Sequence, residues 1–221
     1  MLISIATAAL VLAAGSANPA DYSTTITNPY LPLRPGHHWV YRVGHQRDAV
    51  TVTQETKRMA SGIEGRVVRD EVTEKGAPTE ITDDYYAQDR KGNVWYLGEA
   101  TTVFKNGKPA STEGSFEDGV DGAKAGIAMP AHPKVGMRYR QEFYKGHAED
   151  RAKIVSLSER VKVPLRRYRH ALMTLETSPV EPDVLEAKFY ARGVGQVLAV
   201  DLSGGTDREE LVRASARTTR G

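Results

Sequence analysis

Asp48-Ala-Val-Thr-Val-Thr-Gln-Glu-Thr56 is rich in β-branched residues and alternates in character from one position to the next. A period of two is the pattern of a half-buried strand. Working outward, the same style recurs. Gly65–Val72 alternates less cleanly, and Asp83–Gln88 and Asn93–Leu97 flank Asp89-Arg-Lys-Gly92, a hairpin signal. Asn106-Gly107 is a strong turn dipeptide. Met137–Tyr144 and Ala148–Leu157 flank Lys145-Gly146-His147, Tyr168–Thr177 follows, and Val184–Arg192 and Gln196–Leu202 flank Gly193-Val-Gly195. Ser203-Gly204-Gly205-Thr206 then turns the chain into Arg208–Ala214. No long stretch carries a 3.6-residue stripe. The expected fold is mainly β: one antiparallel, strongly curved sheet or half-open barrel of about ten strands. One long glycine-rich loop, Glu113–Gly136, is expected at its rim, with Phe116, Val120, Ile127 and Met129 as apolar anchors.

The composition suits that reading. The 221 residues are 40% hydrophobic and 26% charged, enough to bury one core without a metal or disulfide staple. With no cysteine, thiol catalysis, thiolate metal sites and disulfides are excluded. A mean hydropathy of −0.45 excludes a multi-span helical membrane protein. The net charge of +2 excludes a polybasic arm and an acidic tail. The charge is uneven: residues 21–121 hold 12 basic and 16 acidic side chains, residues 122–221 hold 18 and 12. Such asymmetry would suit a C-terminal half facing anionic sugars or lipid head groups.

Leu2–Ala14 is almost continuously apolar, Met1–Ala20 carries no charge, and small residues follow the apolar run. The run is too short to span a bilayer and matches a secretory signal peptide, with cleavage expected after Ala17 or Ala20. No basic residue precedes it, which departs from the usual pattern. The domain reading is therefore a signal peptide over 1–20 and a single β domain over 21–221, periplasmic or secreted, with no membrane span once the leader is removed.

Asn28-Pro-Tyr-Leu-Pro-Leu-Arg-Pro-Gly-His-His-Trp-Val-Tyr41 is a proline-punctuated turn feeding a strand. It resembles the opening of a group of bacterial exported β-domain proteins, in which Pro-Leu-x-Pro-Gly-x-x-Trp-x-Tyr leads into the first strand. Tyr86-Ala-Gln-Asp-Arg-Lys-Gly-Asn-Val-Trp-Tyr96 and Phe189-Tyr-Ala-Arg-Gly-Val-Gly195 look like later strands of such proteins. The resemblance implies an exported β domain in the style of lipoprotein carriers and lipocalin-like half-barrels, and implies no catalytic residues. Read physically, Trp39 and Tyr41 share a strand face and suit a core. Gly193 and Gly195 suit a tight hairpin rather than a phosphate cradle, because a strand follows them and not a helix.

Hydrolase motifs are absent: no Gly-x-Ser-x-Gly, no Ser-x-x-Lys, no His-Glu-x-x-His. Two polar strand rows stand out. Glu186, Lys188, Tyr190 and Arg192 alternate with Leu185, Ala187, Phe189 and Ala191; Arg138, Arg140, Glu142 and Tyr144 form a second row. In a concave groove these rows would recognise carboxylates or sugar hydroxyls. On a solvent-facing sheet they would form cross-strand ion pairs instead. His147 and Glu149, with Glu142 on the neighbouring strand, are the candidate ligands for one divalent metal, zinc or calcium. Glu117, Asp118 and Asp121 offer a loose calcium set without the register of a calcium loop. Lys162, Arg166, Arg167 and Arg169 form a basic cluster that suits anionic lipid or lipopolysaccharide, or simply a charged sheet edge. It lacks the interleaved aromatics of a nucleic-acid surface.

These features lead to an exported, non-catalytic binding protein for a small amphipathic or anionic ligand, small-molecule or lipid-like, with a contact to the envelope surface as a further expectation. A metal-dependent hydrolase using His147, Glu149 and Glu142, and a structural or envelope-assembly factor, are the alternatives.

Overall fold

A computed structural model describes residues 18–216; Met1–Ala17, and with them most of the expected signal peptide, lie outside the described residues. A 3-10 turn, Pro19–Asp21, precedes sixteen strands. They are β1 (Tyr22–Ser23), β2 (His37–Val43), β3 (Gln46–Arg58), β4 (Glu64–Glu74), β5 (Ala77–Asp89), β6 (Val94–Lys105), β7 (Lys108–Ser111) and β8 (Phe116–Glu117) in the first half. The second half holds β9 (Lys124–Met129), β10 (Arg138–Arg140), β11 (Glu142–Phe143), β12 (Arg151–Lys162), β13 (Arg167–Ser178), β14 (Glu181–Ala191), β15 (Gly195–Ser203) and β16 (Arg208–Ala216). Every pairing is antiparallel, and thirteen strands form one path: β10-β12-β13-β14-β15-β16-β2-β3-β4-β5-β6-β9-β11. The sheet is mainly β and strongly curved, as the sequence pattern requires. The strand count exceeds ten because β1, β7, β8, β10 and β11 are two to four residues long, too short to carry a period-two signal.

The ring nearly closes through one stretch of chain. β10 pairs with β12, while β11, one residue further on, pairs with β9. The path therefore starts and ends on residues 138–143. Gly126 makes this possible, since a Cβ there would collide with the backbone of Gln141. Gly98 has φ +134° and lies where β8 crosses β6; a side chain would strike the Phe116 backbone.

One end of the barrel is plugged. Ile26, Tyr30 and Leu33 insert among Trp39, Val52, Val68, Val94, Met129, Ile154 and Leu172. Asn28 locks the plug: its side chain accepts the Tyr30 N–H (2.9 Å) and donates to the carbonyls of Gly92 and Pro130 (3.1 Å each). Gly193 N–H donates to Pro29 O (2.7 Å) and Trp39 Nε1 to Val194 O (2.8 Å). The proline-rich opening thus docks on the Gly193–Gly195 hairpin, so both quoted motifs have structural work at the closed end. A second apolar patch of Met59, Ile63, Val67, Tyr85, Ala87 and Leu97 packs with Tyr22 and Trp95.

The stretch Glu113–Gly136 is not one long loop. It contains β8 and β9, and Phe116, Ala123 and Met129 are buried. Only its first residues reach the rim. No helix among the described residues is long and apolar enough to cross a membrane.

Candidate functional site

Above the plug the barrel interior turns polar, and nearly every wall strand contributes to it. Alternation aims Tyr41 from β2, Asp48 from β3, Asp70 from β4 and Asp84 from β5 into a lower chamber of about 290 Å³. Glu209 from β16 and Gln196 from β15 face the same space. An upper chamber of about 330 Å³ is lined by Glu99, Glu142, Asp150 and Glu176. Leu31, Tyr86, Lys188 and Gln196 border both chambers, so the two adjoin. Glu99, Glu142 and Asp150 also border a mouth of about 930 Å³, with Glu80, Glu113, His147 and Glu181 around it. The result is a funnel lined by carboxylates from mouth to plug, with Lys188 the one cation bordering both chambers.

Crowding and burial keep much of this acid protonated. Asp48 is 5% exposed; burial, then the adjoining Asp70 and Glu209 carboxyls, push it up to about 12. If both were ionised, Asp48 Oδ1 and Asp70 Oδ1 would be buried with no donor. A proton on Asp48 supplies one. Burial also raises Asp70 and Glu209, and Gln196 Nε2 donates to Glu209 Oε2 (2.6 Å). Asp84 is lifted well above the carboxylate range by burial, although Tyr96 O–H donates to it at 2.6 Å. In the upper chamber burial raises Glu99 to about 7 and, with Asp150 and Glu99 nearby, Glu142 to about 8.

Lys188 Nζ lies 3.1 Å from both Glu176 Oε2 and Glu186 Oε2. Burial works against the ammonium, but these two carboxylates outweigh it and raise Lys188 well above its usual value. Glu176 also accepts from Thr174 O–H (2.8 Å). The aromatic walls are Tyr86 and Tyr96, with ring centroids 5.0 Å apart, and Tyr190. Gln141 Oε1 is buried at the upper chamber with no donor from the protein.

The two predicted polar rows fare differently. Glu186, Lys188 and Tyr190 do share the inner face, so that row is the polar lining of a barrel and not a solvated sheet face. Arg192 lies elsewhere, over the Tyr30 ring at 5.5 Å by the plug. The second row splits, because the chain changes partner strand at Gln141, from β12 to β9. Arg138 and Arg140 border a separate open groove of about 690 Å³, with Arg140 4.5 Å above the Phe143 ring. Glu142 faces the cavity and Tyr144 the mouth.

The structure brings Glu142 and His147 to one mouth but does not gather the three predicted metal ligands as one set. His147 stacks on Tyr144 at 4.4 Å, Glu149 accepts the Gly146 N–H (3.0 Å), and Glu142 lines the chamber. Among the described residues no three His, Asp or Glu side chains converge as a metal site. The loose calcium set is also committed otherwise. Glu117 pairs with Lys57 Nζ (2.8 Å) and accepts Ala60 N–H (2.8 Å), while Asp118 accepts Ala125 N–H (2.9 Å).

The sequence reading missed Asp48, Asp70, Asp84, Glu99, Glu176 and Glu209. The available signal was an acidic residue on the parity of the inward apolar ones: Asp48 with Val50 and Val52, Asp70 with Val68.

No protein-family model and no curated protein matches the chain. Among solved structures it is similar to a candidate exported protein with a YmcC-like fold from Bacteroides fragilis, at TM-score 0.49 and 12% identity over 84% of this chain and 98% of that one. It is also similar to a candidate lipoprotein from Parabacteroides distasonis, at TM-score 0.45 and 12% identity over 85% and 99%.

Proposed function

We propose that this chain is an exported, non-catalytic binding protein that holds a small amphipathic cation, an aliphatic or quaternary amine, inside its barrel. Export rests on the uncharged, apolar Met1–Ala20 stretch. The observation that carries the ligand chemistry is the funnel itself: carboxylates line it from mouth to plug, and its bordering cation, Lys188, is already held by Glu176 and Glu186. An anionic ligand, one of the two classes expected from the sequence, would be repelled by whichever of these carboxyls are ionised and would find the bordering cation already paired.

An ammonium group has the opposite fate. It finds ionisable Glu99 and Glu142, the acceptor Gln141 Oε1 and the Tyr86, Tyr96 and Tyr190 rings, a setting that favours cations by charge and by ring quadrupole. Leu31 and Ala128 offer apolar surface for its tail. The chambers have the size of small-ligand sites. Glu99 and Glu142 are neutral below about pH 7 and 8 respectively, so cation binding strengthens as the pH rises through that range and releases protons below it.

The test is calorimetry with a matched pair, octylamine and octanoate, at acidic and at mildly alkaline pH. Octylamine is expected to bind tightly with little proton release at the higher pH, and more weakly with proton release at the lower. Replacing Glu99 and Glu142 by Gln together is expected to weaken it about tenfold. Octanoate binding in place of octylamine would refute the cationic reading.

A further inference from the structure

The outer face of the β12–β13 hairpin and its neighbour β10 repeats an arrangement that antiparallel sheets avoid. Arg138 is registered opposite Lys153, and Arg140 opposite Arg151. At the hairpin's far end Arg160 stands opposite Arg169, and Lys162 opposite Arg167. Directly opposed like charges destabilise a ladder. Arg166 adds a ninth cation at the tip, 4.8 Å above the Tyr168 ring. Among the described residues none of the nine forms an ion pair, although eight ion pairs occur elsewhere. Arg69, by contrast, is registered opposite Asp83 and bonds it at 2.8 Å twice, the cross-strand pairing that neutralises a surface cation.

We infer that this face docks on the surface of a bilayer containing anionic lipid. The charge complementarity is direct, each basic side chain near such a surface adding a roughly equal increment of attraction. Geometry favours a flat, extended partner. The hairpin strands are twelve residues long, about 40 Å at strand rise, and cations occupy both ends of that span. Exposed apolar side chains sit among them: Leu165 (37% exposed) at the tip beside Arg166, and Val135 (62%) just before Arg138. Basic side chains around a protruding leucine suit the head-group region. Nucleic acid fits less well, because Tyr168 is buried and the Phe143 face is covered by Arg140. The hairpin tip lies at the plugged end: Leu165 N–H donates to Leu211 O (3.1 Å), and Val161, Val163 and Tyr168 join the plug's core. Docked by this face, the chain leaves the acidic mouth, at the hairpin's other end, directed away from the tip contact.

The test is flotation of the full chain with vesicles of phosphatidylcholine alone and of phosphatidylcholine mixed with phosphatidylglycerol. Met1–Ala20 is identical in every sample, so any contribution it makes cancels in the comparison. Stronger binding to the mixed vesicles, screened by salt, is expected. Arg160→Gln with Arg169→Gln, and separately Arg138→Gln with Arg151→Gln, should each lower partitioning about twentyfold. Arg42→Gln, a cation already paired with Glu210, should leave it nearly unchanged. Both doubles should also melt at higher temperature than the parent, since a like-charge repulsion is removed, and this separates lost docking from lost folding. Equal binding to both vesicle types, doubles that bind as the parent does, or tighter binding to duplex DNA with the same pattern of loss overturns the proposal.

Discussion

The barrel's interior and the outer face of its β10–β12–β13 wall both concentrate one sign of charge, yet they do so under opposite physics. Inside, burial penalises charge, so carboxyls respond by keeping protons: Asp48 pairs with Asp70 and Glu209, and Glu99 and Glu142 titrate near neutrality. Outside, guanidinium and ammonium groups cannot shed charge at neutral pH, and the solvent screens what the fold leaves unpaired. The interior is therefore expensive to ionise and sensitive to pH, while the wall carries a small, permanent strain. The same chain stores its acid where a proton can neutralise it and its base where water can.

The sharpest way to break this contrast is at Lys188, the interior's counter-ion. Lys188→Met leaves Glu176 and Glu186 without their cation and is expected to destabilise the fold by about 3 kcal/mol at pH 8. Chemical denaturation at pH 8 measures it. No loss there would mean that Lys188 is not the counter-ion of these carboxylates.

A smaller effect of the opposite sign is expected from Glu99→Gln with Glu142→Gln. Folded-state values of about 7 and about 8 lie above the ordinary value of 4.5. The folded protein thus holds these protons more tightly than the unfolded chain, and stability falls as pH rises from about 4.5 to about 8. The double variant should flatten that slope and gain on the order of 2 kcal/mol at pH 8, with no gain at pH 4.5. Melting curves across the range decide it.

The outer wall is expected to move least. Arg151→Gln relieves the repulsion with Arg140 and should stabilise by about 0.5 kcal/mol. Arg69→Gln breaks the forked pair with Asp83 and should cost about 0.5 kcal/mol. Opposite signs for two arginines on different walls, read by denaturant midpoints, would separate a partner-directed surface from an ordinary one.

How much of this was legible in the sequence follows from what alternation encodes. Period two marks strands, and glycine marks the turns between them: Asn106 and Gly107 both have positive φ, as the dipeptide implied, and Gly92 and Gly146 close the hairpins predicted for them. Alternation does not say which parity faces inward. Glu186, Lys188 and Tyr190 could belong to a solvated face or to a cavity, and only the closing of the sheet decides. Closure itself depends on residues 138–143 dividing between two partners, and no local pattern announces that division. The metal expectation meets a related limit: Glu142 borders the same mouth as His147 but also lines the inner chamber, and among the described residues no three such side chains gather as a metal site. The plug shows the opposite case. Its motif was visible as a turn, and its role was hidden because Asn28 finds its partners more than sixty residues away.

The pairing of β2 with β16, His37 opposite Ala216 and Val43 opposite Glu209, sets the order in which the molecule can be made. The first long strand waits for the last, so through almost the whole of synthesis Trp39 and Tyr41 belong to a strand with one bare edge. Contacts this distant in sequence form slowly, and an unpaired edge is a template for the wrong neighbour. Hairpins between consecutive strands can form as the chain emerges, but the seam between β2 and β16 closes only once β16 has been made.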